Sequence, residues 1–192
     1  RRSRQARADS GESLESTGTA TTVTAWQWPV GHEGVVRRLE HQLQVGSIPH
    51  AQLFVGPRGV GKRLFAKAFA KALLDPQGKG GISDLIELAP EGRLGLYPAA
   101  LLEEVRQQAQ MTALAGSWKD YILDDVERMS SAAANSLLKI LEEPPVRTLF
   151  LLLSGRAQTL LPTIVSRCHV VAFDPLREAE IVLLLQQQGL SL

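Results

Sequence analysis

The chain is 192 residues long, with 44% hydrophobic and 21% charged residues, the composition of a globular protein holding one full domain or one domain plus the start of another. Its 21 Lys+Arg nearly cancel 20 Asp+Glu, and the net charge of +1 argues against a strongly basic nucleic-acid coat or an acidic tail as the main functional device. The longest apolar stretches fall far short of the ~20 residues that a membrane span needs, and a single cysteine, Cys168, excludes an internal disulfide framework and a cysteine-cluster zinc site within one chain.

Arg1 to Thr24 are rich in Arg, Ser, Thr, Gly and Ala and carry no regularly spaced large apolar residue. Such a segment buries too little surface to offset its ordering entropy, so residues 1–25 are expected to form a flexible tail. Its cluster of Arg1, Arg2, Arg4 and Arg7 would suit nucleic-acid contact or a targeting peptide; Asp9, Glu12 and Glu15 count against the latter, since transit peptides are acid-poor.

From Trp26 the pattern becomes periodic. Val36, Leu39 and Leu43 predict a helix over 33–44, and Leu53-Phe54-Val55, ending at a glycine, predicts a buried strand. Phe65, Ala68, Phe69 and Ala72 mark one face of a helix that Asp75-Pro76 stops, with Gly78, Gly80 and Gly81 forming a loop. Leu85 to Leu88 reads as a second strand, and Pro98 opens a helix with Leu101, Leu102, Val105 and Ala109 inward. Tyr121-Ile122-Leu123 leads into Asp124 and Asp125. Ser130-Ser131 then caps a helix carrying Ala134, Leu137, Leu138 and Leu141, which Pro144-Pro145 terminates. Leu149 to Leu153 reads as a strand covered on both faces and Val170 to Phe173 as the fifth strand. Asp174-Pro175 starts a last helix, filled by Ile181 to Leu185 and ended by Gly189. Strands alternating with helices predict an α/β fold: a parallel sheet with helices on both faces.

Gly56-Pro57-Arg58-Gly59-Val60-Gly61-Lys62-Arg63 has the spacing of a phosphate-binding loop between a predicted strand and a predicted helix. Glycines let successive N–H groups turn toward phosphate oxygens, the helix N-terminus adds positive potential, and Lys62 reaches the outer phosphates as a point charge. Gly56, Pro57, Gly59, Val60, Gly61, Lys62 and Arg63 are therefore the candidate nucleotide-binding residues. The final position normally carries Ser or Thr, whose hydroxyl helps hold Mg²⁺. Arg63 cannot ligate a metal, so ATP or ADP is expected to bind weakly or without metal, and hydrolysis is expected to suffer. Asp124 stands where the acidic residue supporting Mg²⁺ is expected, and Asp125 where one large branch of ATPases carries a water-orienting Glu. Asp is one methylene shorter, and a misplacement of about 1 Å costs roughly 10²-fold. Glu127 and Arg128 read as a solvated turn. His41, His50 and His169 are dispersed without metal-ligand spacing, and Trp26, Trp28 and Trp118 form no base-stacking series.

Several segments occur in a recognisable order: Pro49 to Pro57, then Asp124-Asp125, then Ala132-Ala133-Ala134-Asn135-Ser136-Leu137-Leu138-Lys139-Ile140-Leu141-Glu142-Glu143-Pro144-Pro145, then Ser166-Arg167-Cys168. Together they resemble the AAA+ module of bacterial DNA polymerase III clamp-loader subunits, over about Trp28 to Phe173. The resemblance implies a P-loop three-layer domain with a five-stranded parallel sheet over 26–173 and the beginning of a truncated helical lid over 174–192. It also implies that Arg167 is a trans-acting arginine finger pointing into a neighbouring subunit's nucleotide site, that Ser154 senses the γ-phosphate, and that Val30-Gly31-His32-Glu33 borders the adenine. His32 by itself reads as an ordinary loop histidine.

Within the family the chain is most similar to the delta-prime type, which is permissive at the positions of Arg63 and Asp125; Leu160-Leu161 points the same way. The four-cysteine zinc module that such subunits usually carry is replaced here by Leu74 to Ile82 without cysteine, so no zinc is expected. The resemblance implies a cytoplasmic protein without membrane association, working in DNA replication with gamma/tau and delta subunits and, through the complex, with a sliding clamp and primed DNA. On this reading Arg167, Asp124 and Asp125 are the candidate catalytic residues, and the chain by itself is not an active ATPase. Two alternatives stand beside it: a gamma/tau-type ATPase subunit, and an unrelated P-loop nucleotide-binding enzyme.

Overall fold

The computed structural model describes residues 27–76, 84–91, 95–112 and 118–187. The expected tail over 1–25, Trp26, the loop glycines Gly78, Gly80 and Gly81, and Gly189 lie outside the described residues.

Helix α1 (Glu33–Val45) ends where Gly46 turns to φ 65° and returns its N–H toward the Leu43 carbonyl. Strand β1 (Ala51–Val55) feeds the glycine loop and α2 (Lys62–Leu74), followed by β2 (Leu85–Leu88) and α3 (Ala99–Thr112). Next come β3 (Lys119–Leu123), α4 (Ser131–Glu142), β4 (Thr148–Ser154), the one-turn α5 (Pro162–Val165), β5 (His169–Ala172) and α6 (Glu178–Gln187). The start of α4 follows the expected chemistry: the Ala133 N–H donates to Ser130 Oγ at 3.2 Å, satisfying one of the helix's orphan donors. It stops one residue short of Pro144-Pro145, whose rings cannot continue a helix.

The five strands form one parallel sheet in the order β2-β3-β4-β1-β5. Side chains alternate across it with the period of two that a strand imposes. Leu53, Tyr121, Leu123, Phe150 and Leu152 pack with α3, α4 and α5; Phe54, Ile122, Leu149, Leu151, Leu153 and Val171 pack with α1 and α2. Strand β4 lies between β3 and β1, and all seven of its residues are buried, which is why it must be apolar on both faces. The next strand after β1 lies at the far edge of the sheet, beyond β4 and β3. Such a change of direction in open α/β sheets leaves a crevice at the carboxyl ends of the strands.

The last helix departs from expectation. It begins at Glu178, not at Asp174-Pro175. Residues 173–177 stay non-helical: Leu176 packs so closely on Gly31 that a Cβ there would lie 2.7 Å from Leu176 Cδ2. The helix instead starts where the Arg177 N–H donates to Glu180 Oε2 at 2.7 Å, a cap supplied from three residues ahead. Ile181 and Leu183, expected to fill the helix interior, are 45% and 51% exposed.

Candidate functional site

The carboxyl ends of β1, β2, β3 and β4 bring the sequence-predicted residues other than Arg167 into one neighbourhood. Gly56 is required by packing: a Cβ there would lie 2.2 Å from the Phe173 carbonyl oxygen, because the Phe173 N–H donates to Val55 O at 2.7 Å and pins the end of β5 against the loop. Gly59 and Gly61 hold φ values of 84° and 99°, which L side chains rarely adopt. Gly61 is also the N-cap of α2, so the loop lies at the positive end of a 13-residue helix. Lys62 opens that helix and its Nζ donates to the Gly56 and Pro57 carbonyls at 2.7 and 2.8 Å. Burial lowers its pKa, opposed by the nearby negative charges of Asp124, Glu127 and Asp125.

His32 is more than a loop histidine. It sits in the left-handed region at φ 52°, and its Nε2 lies 2.9 Å from the Val60 carbonyl in the middle of the glycine loop. Its ring meets Phe65 and Phe173 edge-on, with centroids 5.5 and 4.9 Å away. Trp28 also stacks on Phe65. The segment before α1 is thus bolted to the loop by one polar contact, and to α2 and the end of β5 by aromatic ones.

At the position of the metal-binding hydroxyl, the Arg63 guanidinium reaches across to β2. It donates to Glu87 Oε2 through Nε at 3.1 Å and Nη2 at 2.7 Å, and Nη1 lies 3.8 Å from Asp124 Oδ2. Lys67, one turn on, reaches Glu87 Oε1 at 2.8 Å. Burial would raise the Glu87 pKa, but the Lys67 and Arg63 hydrogen bonds prevail and hold it below the ordinary carboxylate range. Asp124 Oδ1 accepts the Asp125 N–H at 2.9 Å. A guanidinium already stands beside Asp124 and the hydroxyl ligand is missing, so this donor set does not fit a divalent cation bridging to phosphate. Among the described residues no group of three or more His, Cys, Asp or Glu could hold a metal ion.

Asp125, in the left-handed region at φ 47°, accepts a hydrogen bond at Oδ2 from Arg58 Nη2 at 2.6 Å. Its carboxylate is therefore engaged by the glycine loop itself. Glu127 does not belong to a solvated turn. Its Oε1 accepts the Gly155 N–H at 3.0 Å, and its Oε2 is buried without a hydrogen-bond partner among the described residues. It lines a cavity of about 500 Å³ with Pro57, Arg58, Gly155, Arg156 and Thr159. Ser154, almost fully buried at the end of β4, turns its hydroxyl into its own turn, donating to the Arg156 carbonyl and accepting the Arg156 N–H at 3.1 Å each. Tyr97 also escapes a reading by periodicity. Buried just before α3, its hydroxyl lies between the carbonyl oxygens of Leu88 and Asp124 and ties the ends of β2 and β3 together. Burial, then the Asp124 and Asp125 charges, push its pKa upward.

Away from the loop, Ser166-Arg167-Cys168 follows α5, and each residue has a distinct contact. Ser166 Oγ donates to the Thr163 carbonyl at 3.1 Å. Cys168 packs against the α3–α4 core, and burial pushes its thiol up to about 12. Arg167 donates through Nη1 to the Thr163 carbonyl and through Nη2 to Glu142 Oε1, both at 2.9 Å. Arg167 is thus held at the surface, separate from this chain's own glycine-loop cluster.

A family model described as "DNA polymerase III, delta subunit" matches residues 31–177. The chain is 34% identical over 169 residues to the DNA polymerase III subunit tau of Bacillus subtilis, covering 80% of this chain and 30% of that protein. It is 32% identical over 172 residues to the delta' subunit of the same organism, covering 82% of this chain and 52% of that protein. Among solved structures, a gamma subunit-related protein of Thermotoga maritima superposes with a TM-score of 0.64 at 26% identity, covering 77% of this chain and 49% of that one. The Thermotoga maritima RuvB branch migration motor shares the fold alone, with a TM-score of 0.59 at 17% identity, covering 83% of this chain and 51% of that one. The chain thus spans about a quarter to a half of the length of the relatives it matches. It has the AAA+ P-loop fold and belongs to the DNA polymerase III clamp-loader subunit family.

Proposed function

We propose that this family member acts as a delta-prime-type subunit of a clamp loader, giving Arg167 to a neighbouring subunit's nucleotide site while its own loop hydrolyses ATP poorly or not at all. The observation that carries the reading is the Arg63 guanidinium, bonded twice to Glu87 and 3.8 Å from Asp124 where a metal-binding hydroxyl would stand. Asp125, neutralised by Arg58, adds to it. Gly56, Pro57, Gly59, Val60, Gly61 and Lys62 would still cradle the phosphates of ATP or ADP, with Arg63 partly replacing the charge of the metal and Ser154 close to the outer phosphate. Arg167 suits the trans role because a guanidinium is planar, always charged and bonds phosphate oxygens in a fork. The partners on this reading are gamma/tau and delta subunits, with the sliding clamp and primed DNA met through the complex in the cytoplasm. Residues 174–187 would then belong to the helical lid.

The test is nucleotide titration of the chain with and without Mg²⁺, followed by ATP turnover of a reconstituted complex containing Arg167→Ala. Metal-independent or absent binding and a complex slowed by roughly 10³-fold are the expected results. Mg²⁺-dependent turnover by the isolated chain would overturn the degenerate-site reading, and an unchanged complex rate would overturn the finger. A gamma/tau-type ATPase is the second reading, favoured by identities of 34% and 35% to tau subunits against 32% to delta'. The same turnover measurement decides between the two.

A further inference from the structure

Two signature runs that lie 25 positions apart in sequence meet in space. Glu142, second residue of Leu-Glu-Glu-Pro-Pro, accepts a hydrogen bond from Arg167 of Ser-Arg-Cys at 2.9 Å. We propose that Glu142 is the positioning residue of Arg167: its carboxylate aims the guanidinium outward for the neighbouring nucleotide site. The proposal rests on the reading of Arg167 as a trans finger and adds the group that holds it.

Helix physics alone does not ask for Glu142. It is the last residue of α4, followed by Glu143 as C-cap, and carboxylates at a helix C-terminus face the negative end of the helix dipole. A local rule broken in this way points to a contact elsewhere. The two glutamates have different surroundings: Glu143 lies near the Arg106 guanidinium, whereas Glu142 takes Arg167. The geometry around the pair is over-determined. Pro144-Pro145 fix where α4 ends, and Ile164 of α5 is buried in the same core as Leu137 and Leu141 of α4, which sets the distance between the two elements. The Thr163 carbonyl grips Nη1 while Glu142 grips Nη2, so the plane of the guanidinium is defined from two sides. Of its five N–H donors, these two bonds leave three for a phosphate. Arg loses little further freedom per bond once its fork is pre-organised, so the anchored side chain meets the transition state without a prior search. Both side chains remain partly exposed, 35% for Arg167 and 51% for Glu142. A pair of this exposure contributes little to folding, which separates a positioning role from a structural one.

The experiment uses the reconstituted complex with its clamp and primed DNA, carrying wild-type, E142A, E142Q, E142D, R167A or the E142A/R167A double variant of this chain. E142A and E142Q should lower kcat roughly 10-fold with KM within about two-fold, since only an interaction made in the transition state is weakened. E142D should recover most of the rate, and E142A should cost nothing further in the R167A background. Circular dichroism melting of each variant chain should coincide with wild type. If R167A slows the complex while E142A and E142Q stay within two-fold of wild type, the positioning role is overturned and the finger stands. An equal E142A effect with or without Arg167, or a complex that E142A accelerates, also overturns it. An R167A complex at the wild-type rate removes the finger reading and this proposal with it.

Discussion

Asp120→Asn should abolish a steep fall in the stability of this chain between about pH 4 and pH 8. Asp120 lies on β3, paired in register with Leu85 and Leu149, and its side chain is fully excluded from solvent. Neither carboxyl oxygen has a hydrogen-bond partner among the described residues. Burial, reinforced by the negative charge of Asp84, raises its pKa from 3.8 to about 8. The native carboxyl therefore keeps a proton that the unfolded chain releases near pH 4. Between these values the native state binds one proton more than the unfolded state, so stability falls as pH rises, by about 1.4 kcal/mol per pH unit. The contribution is fully present below pH 4 and lost above about pH 8. Across the window the sum approaches about 6 kcal/mol, the size of the whole stability of a typical domain. Asn is nearly isosteric and never ionises. The difference between D120N and wild type should thus be small near pH 4.5 and grow steadily in favour of the variant to pH 8, then level off. Urea unfolding at half-unit pH intervals, followed by tryptophan fluorescence, measures it directly. A D120N advantage that does not change between pH 5 and pH 8 would refute the reasoning, because it would mean that the native carboxyl is already ionised.

Gly56→Ala would set a methyl group 2.2 Å from the Phe173 carbonyl and 2.9 Å from its Cβ; a loss of about 2 kcal/mol or more in urea unfolding is expected, and an unchanged midpoint would contradict the packing role given to this glycine. Arg63→Thr restores a hydroxyl and frees Glu87, so nucleotide binding should become Mg²⁺-dependent in a fluorescent-nucleotide titration, at a stability cost of about 1 kcal/mol or less for an exposed pair. Hydrolysis should stay low in that variant, because Asp125 remains bonded to Arg58. The Cys168 thiol, held high by burial, should react with a thiol-specific reagent at pH 8 many times more slowly in the native chain than in urea; equal rates would show that the Ser-Arg-Cys turn is not packed as described.

Much of the site was legible because its chemistry is local. The glycine loop with Lys62 and the acidic end of β3 each lie within a few consecutive residues, and a strand followed by a helix is the context that gives such a run its meaning. Glu127 departs from expectation because a charged residue in a short turn ordinarily faces water; here the carboxylate accepts a backbone N–H from Gly155, at the neighbouring strand's end. Tyr97 carries no periodic signal, since its role is to join two carbonyls from strands whose adjacency is not written locally. The late start of α6 has the same origin. Asp174-Pro175 is a sound helix start by itself, but Leu176 is committed to the surface of Gly31.

By itself, then, the sequence determined the elements and the residue types: apolar runs of strand length, helices with caps and proline stops, a phosphate-type loop whose last position is arginine, and the Glu-Glu-Pro-Pro and Ser-Arg-Cys runs. These follow from backbone sterics and from periodicities of 2 and 3.6, which act over a few residues. The tertiary structure alone decided the pairings: Arg63 with Glu87, Arg58 with Asp125, His32 with Val60, Arg167 with Glu142. Each joins residues at least 24 positions apart and exists only because the packed fold brings them together: the strand order β2-β3-β4-β1-β5 for the pairs around the glycine loop and β2, and the shared core of α4 and α5 for Arg167 with Glu142. Charge complementarity is short-ranged, so which arginine meets which carboxylate is settled by the packing that brings them within reach, not by their identities along the chain.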